Sequence, residues 1–264
     1  MGKIKAVILD WAGTTVDFGS FAPIEAFTAA FKAFGIAPTA EEIRAPMGLA
    51  KRAHIEKMLE GPRLSALWRD KRGKPHTAED VDNIYAQFES ALFRVLERHA
   101  EPLPGVAETV REIREMGIRV GSTTGYTRKM MEVIAPLAAR KGYASDCLIC
   151  PEDTGGIGRP YPYMLWRSLE KLGVLSISEA LKIGDTAADM REGNNAGCLC
   201  VGVIKGSSVL GLGAGEFARL GAAEKAALFT AAERIYREAG ADFVLSEITE
   251  LPGLIRRLGR GCAL

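Results

Sequence analysis

An aspartate that directly follows a short apolar strand is the first residue in this chain that could take part in a reaction. The apolar run 6–9 predicts a strand within residues 3–10, which brings Asp10 to the strand's carboxyl end. Open α/β sheets bind their ligands at that edge. Gly13 and Thr14 allow a tight turn whose amides can face an anion. We therefore expect an anion-binding site here, with Thr14 among its contacts.

A second pair of carboxylates occurs in the run 181–190, Leu-Lys-Ile-Gly-Asp-Thr-Ala-Ala-Asp-Met. Asp185 stands where a predicted strand ends, and Asp189 lies four residues later in a predicted helix. Mg²⁺ prefers a few hard oxygen ligands beside the phosphate oxygens of its substrate. Asp185 can bind the ion directly, and Asp189 can bind metal-held water or orient its neighbours. Alternatively, Asp185 caps the helix that begins at Ala187.

Two further segments carry groups that suit a phosphate oxygen. The run 123–126, Thr-Thr-Gly-Tyr, follows the predicted strand 118–122. A hydroxyl followed by glycine can donate both an O–H and a backbone N–H. The run 158–160, Gly-Arg-Pro, precedes a predicted helix, and the guanidinium of Arg159 can donate two parallel hydrogen bonds. The alternative for Arg159 is a solvated position in a loop.

Met47, Lys51 and His54 occur at the spacing i, i+4 and i+7, which predicts that they share one face of a helix. Pro46 suits the first turn of such a helix, which we expect to end at residues 61–62, Gly-Pro. A helical lysine is usually a solvated charge, and a histidine at such a position usually packs or lies at the surface.

These segments lie in two kinds of sequence. Residues 20–100 show helical periodicity, with Thr39 and Thr77 as predicted helix starts. After residue 101, helices alternate with predicted strands at 118–122, 147–150, 181–183, 198–203 and 243–245. This pattern predicts an α/β fold with a Rossmann-like, doubly wound, mostly parallel sheet. We expect a discontinuous catalytic core of residues 1–18 and 101–264, with a helical cap domain of residues 19–100 inserted into it.

Composition excludes several classes of partner. The chain has 264 residues, and its 34 basic and 33 acidic side chains give a net charge of +1, which argues against nucleic acid. No apolar run approaches the roughly 18 residues typical of a membrane span. Five cysteines, an odd number, fit a reduced cytoplasmic protein. The CxxC run 147–150 reads as a buried strand, and the glycine-rich run 206–215 as a flexible surface loop.

Four segments, in their order along the chain, resemble the motifs of the haloacid dehalogenase superfamily. They are the runs 10–15, 123–126, 158–160 and 181–190, and the resemblance extends over essentially the full chain. The resemblance implies that Asp10 attacks phosphorus. Most phosphatases of the superfamily carry a second aspartate two residues later, as the acid that protonates the leaving oxygen, but this chain has Ala12 there. Without that acid, the departing group needs other stabilisation. A Schiff base of Lys51 with a carbonyl supplies it, because the iminium accepts electrons from a breaking bond β to it.

More specifically, the runs 10–19, 47–51, 124–126 and 158–160 resemble the phosphonoacetaldehyde hydrolase family. The resemblance implies hydrolysis of the P–C bond of phosphonoacetaldehyde, in 2-aminoethylphosphonate degradation, through a Schiff base and an aspartyl-phosphate. It also implies that Asp10 is the nucleophile, that Lys51 forms the Schiff base and that His54 transfers protons. Met47 would line the cap side of the site, and the residues around the phosphonate would be Thr124, Gly125, Tyr126 and Arg159. Mg²⁺ would be bound by Asp10, the carbonyl of Ala12 and Asp185, with Asp189 in support.

The family also implies a homodimer through the first cap helix, which the pattern of Ile24, Phe27 and Phe31 permits. Ser20 departs from the family, whose members have Cys at that position.

Two other interpretations stay open. A Mg²⁺-dependent phosphatase or phosphomutase would want an acid at position 12, and a non-enzymatic descendant would be expected to lose some of its site residues. All of those residues are present.

Overall fold

A parallel sheet runs through the protein, with helices packed on both of its faces. The computed structural model describes residues 3–259, and within them the sheet has six strands. These are β1 (Ala6–Leu9), β2 (Arg119–Thr123), β3 (Cys147–Ile149), β4 (Ala180–Gly184), β5 (Leu199–Val203) and β6 (Phe243–Leu245). Their order is β3-β2-β1-β4-β5-β6, and each neighbouring pair is parallel. The predicted doubly wound α/β fold is confirmed.

The segment between β1 and β2 is helical, as its periodicity predicts. It contains α1 (Phe21–Ala33), α2 (Ala40–Arg44), α3 (Lys51–Glu60), α4 (Pro62–Arg72), α5 (Ala78–Val95) and a 3₁₀ turn, Leu96–His99. The later helices are α6 (Val106–Glu115), α7 (Arg128–Arg140), α8 (Tyr163–Leu172), α9 (Ala187–Ala196), α10 (Ala214–Arg219), α11 (Ala222–Glu238) and α12 (Leu251–Gly259). Short 3₁₀ turns occur at Pro151–Thr154, Ile177–Glu179 and Ile248–Glu250.

The sheet winds outward in both directions from β1. The chain continues from β1 to β2 and β3 on one side, and then crosses to β4, β5 and β6 on the other. Ligands of doubly wound sheets bind where the winding reverses, outside the carboxyl ends of the strands. Leu9 pairs with Ile183, so that Asp10 and Asp185 leave neighbouring strands at that crevice. The topology therefore brings together two carboxylates that are far apart in sequence.

The longest helix of the β1–β2 segment, α5, packs along α1. Phe27 stacks on Phe88 with ring centroids 4.2 Å apart, and neither Phe27 nor Phe31 has exposed surface. This packing stabilises the helical segment by removing large aromatic side chains from water. Because both side chains are already buried within one chain, they cannot make the dimer contact that was predicted for them. Ile24, the third residue of that prediction, is only partly buried.

Two of the predicted helix starts, Thr39 and Thr77, are correct, and the one predicted at Pro46 is wrong. Thr39 and Thr77 both form capping boxes, with Glu42 and Asp80 respectively. The helix predicted to include Pro46 instead begins at Lys51, because Gly48 adopts a φ of 91° and interrupts the helical path. Met47 therefore precedes α3 in a turn and does not share a helical face with Lys51.

The described cysteines are free thiols. Cys147 lies in β3, Cys150 directly follows it, and both are buried, which agrees with the predicted buried strand. Cys262 falls outside the described residues. None of the helices within residues 3–259 has both the length and the apolar character that a membrane crossing requires.

Thr77→Ala tests the capping box that starts α5. The substitution removes the hydroxyl that accepts the Asp80 N–H, and it should lower the free energy of unfolding by about 1 kcal/mol. Urea unfolding followed by circular dichroism measures this loss. Thr28→Ala, at an exposed position inside α1, is the matched control and should be neutral or slightly stabilising. Equal stability of the two variants would contradict a capping role for Thr77.

Candidate active site

The first wall of the site is the turn that follows β1. Gly13 has a φ of 86°, and a Cβ at this position would collide with the carboxylate of Asp185. Only glycine therefore fits here, for both conformational and steric reasons. The Thr15 hydroxyl donates to the backbone carbonyl of Asp10 at 2.9 Å, which fixes the backbone from which the Asp10 carboxylate projects.

Asp10 is buried, with 5% of its surface exposed, and it faces a cation. Its Oδ1 lies 2.7 Å from Nη2 of Arg159. Burial raises the pKa of Asp10, and the guanidinium of Arg159 opposes that rise by favouring the carboxylate. The position suits a nucleophile, because Arg159 orients the carboxylate and the surroundings remove most of its water.

Asp185 is held by groups from three parts of the chain. Its Oδ2 accepts the backbone N–H of Ser208 at 2.7 Å, and its Oδ1 accepts the Thr14 hydroxyl at 3.4 Å. The hydroxyl of Tyr236, from α11, donates to the Asp185 carbonyl at 2.9 Å. The helix that follows is capped by Thr186, so the alternative role of Asp185 as its cap is wrong.

Asp189 completes a capping box with Thr186 and also faces two cations. Its Oδ2 accepts the N–H and the hydroxyl of Thr186, while its Oδ1 lies 2.9 Å from Nζ of Lys182 and 3.0 Å from Nη1 of Arg159. Burial acts against its charge, but Arg159 and Lys182 outweigh that effect and lower the pKa of Asp189. Oδ2 is therefore held by hydrogen bonds, and Oδ1 by the charges of two nearby cations.

Asp10, Asp185 and Asp189 form a cluster that could hold a metal ion. Each offers a carboxylate oxygen, and these oxygens all lie within 4.8 Å of one another. Burial and the charges of Asp10 and Asp189 raise the pKa of Asp185 well above its ordinary value. Hard oxygen donors gathered in a buried, negatively charged position fit a hard divalent cation, which would relieve the repulsion among them.

Arg159 lies at the centre of the site and not in a solvated loop. It is 5% exposed, its peptide bond to Pro160 is cis, and it pairs with Asp10, Asp189 and Glu192. Burial disfavours its charge, but the three carboxylates raise the pKa of Arg159 above its ordinary value, so it is always protonated. The solvated alternative considered for Arg159 is therefore wrong.

Lys51 faces the core from the first residue of α3. It is 6% exposed, and its Nζ lies 4.9 Å from the ring centroid of Tyr126. Burial lowers the pKa of Lys51 from 10.5 to about 8, and the nearby Arg159 also lowers it, against an opposing effect of Asp10. The partial positive charge at the start of a helix further disfavours an ammonium ion there. A useful fraction of Lys51 is thus neutral near physiological pH.

His54 is buried one helical turn after Lys51. Its Nε2 lies 2.8 Å from the carbonyl oxygen of Ile43, and its ring packs on Phe27 at 4.1 Å. Because a carbonyl only accepts, Nε2 carries the hydrogen and Nδ1 keeps a lone pair, which has no hydrogen-bond partner among the described residues. Burial and the charge of Lys51 lower the pKa of His54 well below 6.5, so the ring is neutral.

A small cavity joins these groups. It is lined by Asp10, Ala12, Ser20, Met47, Gly48, Lys51, Thr124, Gly125, Tyr126, Arg159 and Thr186. Most of the predicted site residues therefore meet in one place. Four predicted site residues do not line the cavity: Thr14, His54, Asp185 and Asp189. Thr14 supports Asp185, His54 lies behind Lys51, and the two aspartates belong to the buried carboxylate cluster next to the cavity.

The two sides of the cavity touch at glycines. A Cβ on Gly125 would lie 2.7 Å from the carbonyl oxygen of Leu49, and one on Gly48 would lie 2.5 Å from Oγ1 of Thr186. Real Cβ atoms are not found at such distances from other heavy atoms. The glycines thus allow the turn before α3 to close over the carboxyl ends of the strands.

Sequence reasoning missed several residues at or behind the site. Ser20 and Thr186 line the cavity, and Ser208 binds Asp185 through its backbone, although the run 206–215 was expected to be a flexible surface loop. Ser207 and Ser208 are in fact buried. Lys182 and Glu192 are fully buried ion-pair partners of Asp189 and Arg159. The only available signal was a lysine within the apolar strand 181–183.

Comparison with known proteins agrees with this geometry. A family model described as haloacid dehalogenase-like hydrolase matches residues 4–197. The chain is 46% identical over 256 residues to the bifunctional phosphonoacetaldehyde hydrolase/aminoethylphosphonate transaminase of Clostridioides difficile (strain 630), an alignment that covers 97% of this chain and 40% of that protein. It is 46% identical over 261 residues to the phosphonoacetaldehyde hydrolase of Lysinibacillus sphaericus (strain C3-41), covering 99% of this chain and 97% of that one.

The solved structures include a similar fold along the whole chain. A crystal structure of a phosphonoacetaldehyde hydrolase-like protein from Oleispira antarctica matches with a TM-score of 0.95 at 34% identity, covering 98% of this chain and 95% of that chain. Together with the full-length relatives, this shows that the chain belongs to the phosphonoacetaldehyde hydrolase family of the haloacid dehalogenase-like hydrolases.

Proposed function

We propose that this protein hydrolyses the P–C bond of phosphonoacetaldehyde, giving acetaldehyde and phosphate. The observation that carries this proposal is the pairing, across one small cavity, of a buried carboxylate on Asp10 with a lysine, Lys51, whose pKa is lowered to about 8. A phosphoryl-transfer nucleophile and an imine-forming amine suit a substrate that has both a phosphonate and an aldehyde. Ala12, where a phosphatase would have its acid, supports the same assignment.

Under the proposed division into a core (1–18 and 101–264) and a cap (19–100), the catalytic groups come from both parts. Asp10, Asp185 and Arg159 belong to the core, whereas Lys51 and Met47 belong to the cap. Contacts at Gly48 and Gly125 bring the two parts together, so the complete site exists only when the cap is closed. Closure would exclude water from the reactive intermediates.

Asp10, the backbone carbonyl of Ala12 and Asp185 are the groups we assign to Mg²⁺, with Asp189 in support. The oxygens of Asp189 already have partners in Thr186, Lys182 and Arg159, which fits a supporting role. When bound, the ion supplies positive charge next to the phosphonyl group. A divalent charge also matches the excess of buried carboxylates over buried cations.

The first chemical step belongs to Lys51. Its neutral amine adds to the aldehyde carbon to give a carbinolamine, which takes up one proton and loses water to leave a protonated imine. His54 can take the proton that the nitrogen loses during addition, through its free Nδ1, and return it to the oxygen that leaves, since Nε2 is held by Ile43. Tyr126 stays a neutral phenol, because burial raises its pKa well above 10, and its ring face stabilises the cation that forms on Lys51.

P–C cleavage then needs no acid at position 12. The Asp10 carboxylate attacks phosphorus while the P–C electron pair moves into the protonated imine, so that the organic fragment leaves as a neutral enamine. Arg159 offsets charge on the phosphoryl group. Water hydrolyses the aspartyl-phosphate to phosphate, and protonation of the enamine carbon followed by imine hydrolysis releases acetaldehyde.

Substrate contacts are assigned to the residues that line the cavity. Thr124, Gly125 and Arg159 would bind the phosphonate, with Met47 and Tyr126 on the cap-facing side. Ser20 has a φ of 54° and a buried hydroxyl without a hydrogen-bond partner in the described part of the chain. A buried hydroxyl without a hydrogen-bond partner destabilises the protein, and a ligand that bonds to it would remove that cost. We therefore assign Ser20 to the substrate contacts as well.

We also propose a homodimer in the cytoplasm. Free thiols at the described cysteines suit a reducing compartment. The surface for a second copy must lie elsewhere than Phe27 and Phe31. Ile157, Tyr161, Tyr163 and Trp166 are large apolar side chains that are each between 43% and 57% exposed, and they lie close together in the sequence. Such a patch is typical of an interaction surface.

Gly125→Ala tests closure of the cap. Because the added methyl group would meet the Leu49 carbonyl, kcat/KM for phosphonoacetaldehyde should fall by about tenfold or more. Phosphate release and thermal unfolding are measured together. Gly158→Ala is the control, since its Cβ would lie 3.5 Å from that of Ala50, an ordinary contact. Normal activity in the Gly125 variant would contradict the closed arrangement.

Ala12→Asp tests the missing acid. The added carboxylate would join an already negative site, so kcat/KM for phosphonoacetaldehyde should fall by about tenfold or more. Ala12→Asn has nearly the same shape without the charge, and it separates crowding from repulsion. Hydrolysis of p-nitrophenyl phosphate is measured in parallel. A several-fold gain on phosphonoacetaldehyde in the Asp variant would show that the leaving group does require an acid.

Lys51 is the residue that distinguishes this function from a phosphatase. Acetaldehyde and cyanoborohydride should add mass at Lys51, as located by peptide mapping, and not at the exposed Lys57. Since only the neutral amine reacts, the trapping rate should rise about tenfold per pH unit below the pKa and level off above about 8.

Two variants complete that test. Lys51→Arg should lose both trapping and P–C hydrolysis, because a guanidinium forms no imine. Asp10→Asn should still trap the aldehyde but release no phosphate. Trapping at another lysine, or phosphate release from the arginine variant, would favour a phosphatase instead.

A further inference from the structure

Lys182 and Glu192 form a second layer of charge behind the site. Lys182 projects from the middle of β4 and has no exposed surface. Its Nζ lies 2.8 Å from the Thr123 hydroxyl, 2.9 Å from Asp189 and 3.1 Å from Glu192. The ammonium group donates to Thr123 and is paired with two carboxylates, and Lys182 is not among the residues that line the cavity, so it does not reach a substrate there. Whatever Lys182 does in the reaction, it therefore does through its neighbours.

Glu192 holds one edge of the Arg159 guanidinium. Nε of Arg159 donates to Glu192 at 2.9 Å, and Nη2 donates to the carbonyl and hydroxyl oxygens of Thr123, both at 2.9 Å. These bonds fix the plane of a side chain that otherwise has several rotatable bonds. As a result, Nη2 and Nη1 point toward Asp10 and Asp189.

The charge of Lys182 determines how strongly Asp189 and Glu192 attract Arg159 away from Asp10. Asp189 and Glu192 both contact Lys182 and Arg159, so the two cations share the two carboxylates. Without Lys182, both carboxylates would depend on Arg159 alone, and an uncompensated charge would be left in a fully buried position. Such a charge is strongly unfavourable and would withdraw the guanidinium from Asp10 and from an incoming anion.

We propose that Lys182 and Glu192 are positioning residues that hold Arg159 in place for the phosphonyl group. Glu192 sets the direction of the guanidinium, and Lys182 neutralises the carboxylates that would otherwise compete with the substrate for it. This inference rests on the proposed function only in taking Arg159 as the phosphonyl ligand.

Binding of inorganic phosphate tests the inference without requiring catalysis. Isothermal titration calorimetry at saturating Mg²⁺ should show about tenfold weaker phosphate binding for Lys182→Met, and a similar loss for Glu192→Asp, which keeps its charge but is too short to reach Arg159. Lys182→Met/Glu192→Gln removes one charge of each sign, and should bind phosphate within about threefold of wild type. Lys5→Met, which breaks an ion pair with Glu179 at the opposite end of β1, is the control and should bind normally.

A second readout separates positioning from a general loss of structure. Acetaldehyde has no phosphonyl group, so its trapping at Lys51 should be unchanged in all four variants. In Lys182→Met and Glu192→Asp alone, KM for phosphonoacetaldehyde should rise more than kcat falls. Wild-type phosphate affinity in Lys182→Met or Glu192→Asp would overturn the inference. So would a double variant as weak as Lys182→Met, since that result would show a structural role only.

Folding failure of one variant leaves the test intact. If Lys182→Met does not fold, Glu192→Asp and the double variant still carry the comparison. A wild-type protein that binds phosphate with this pattern but does not cleave phosphonoacetaldehyde would refute the proposed function alone. A wild-type protein that cleaves it, with variants that all bind phosphate normally, would refute the inference alone.

Discussion

Burial of four carboxylates around the carboxyl ends of β1 and β4 is the constraint on which the rest of the site depends. Asp10, Asp185, Asp189 and Glu192 lie within a few ångströms of one another or of shared cations, and each is almost or completely removed from water. Carboxylates in such surroundings are stable only with compensating charge. Arg159 and Lys182 supply two positive charges, and a divalent cation would balance the other two. Charge balance therefore accounts for the arginine and the buried lysine, and it favours a divalent cation beside these carboxylates.

The same removal from water gives Lys51 its chemistry. An exposed lysine is almost entirely protonated at neutral pH, whereas burial under the closed cap lowers the pKa of Lys51 to about 8. In the proposed reaction, the cap would bring an amine to the aldehyde end of the substrate and would also create the surroundings in which that amine is nucleophilic. The proposed nucleophile, Asp10, and the proposed imine-forming residue, Lys51, belong to different parts of the chain and both line the cavity.

The glycine-rich run 206–215 connects these two parts. The N–H of Ser208 binds the Asp185 carboxylate at 2.7 Å, and the carbonyl of Gly211 accepts a hydrogen bond from Arg44 of α2 at 2.9 Å. One loop therefore touches both a carboxylate of the core and the helical segment that carries Lys51. Its backbone groups make these contacts, so the residue types in the run give little sign of its position.

The sequence by itself determined the order of strands and helices and the helix starts at Thr39 and Thr77, because local periodicity and residue type specify them. Asp10, Lys51, Arg159 and Asp185 were identified as candidates because their motifs resemble those of a known family. Tertiary structure alone decided that Met47 leaves the helix, that Thr14 and His54 stand behind the cavity, and that Phe27 and Phe31 are buried within one chain. It also decided that Lys182, Glu192 and Ser208 surround the charged centre. Burial, charge compensation and close backbone approach arise between residues far apart in the chain, and no local pattern contains them.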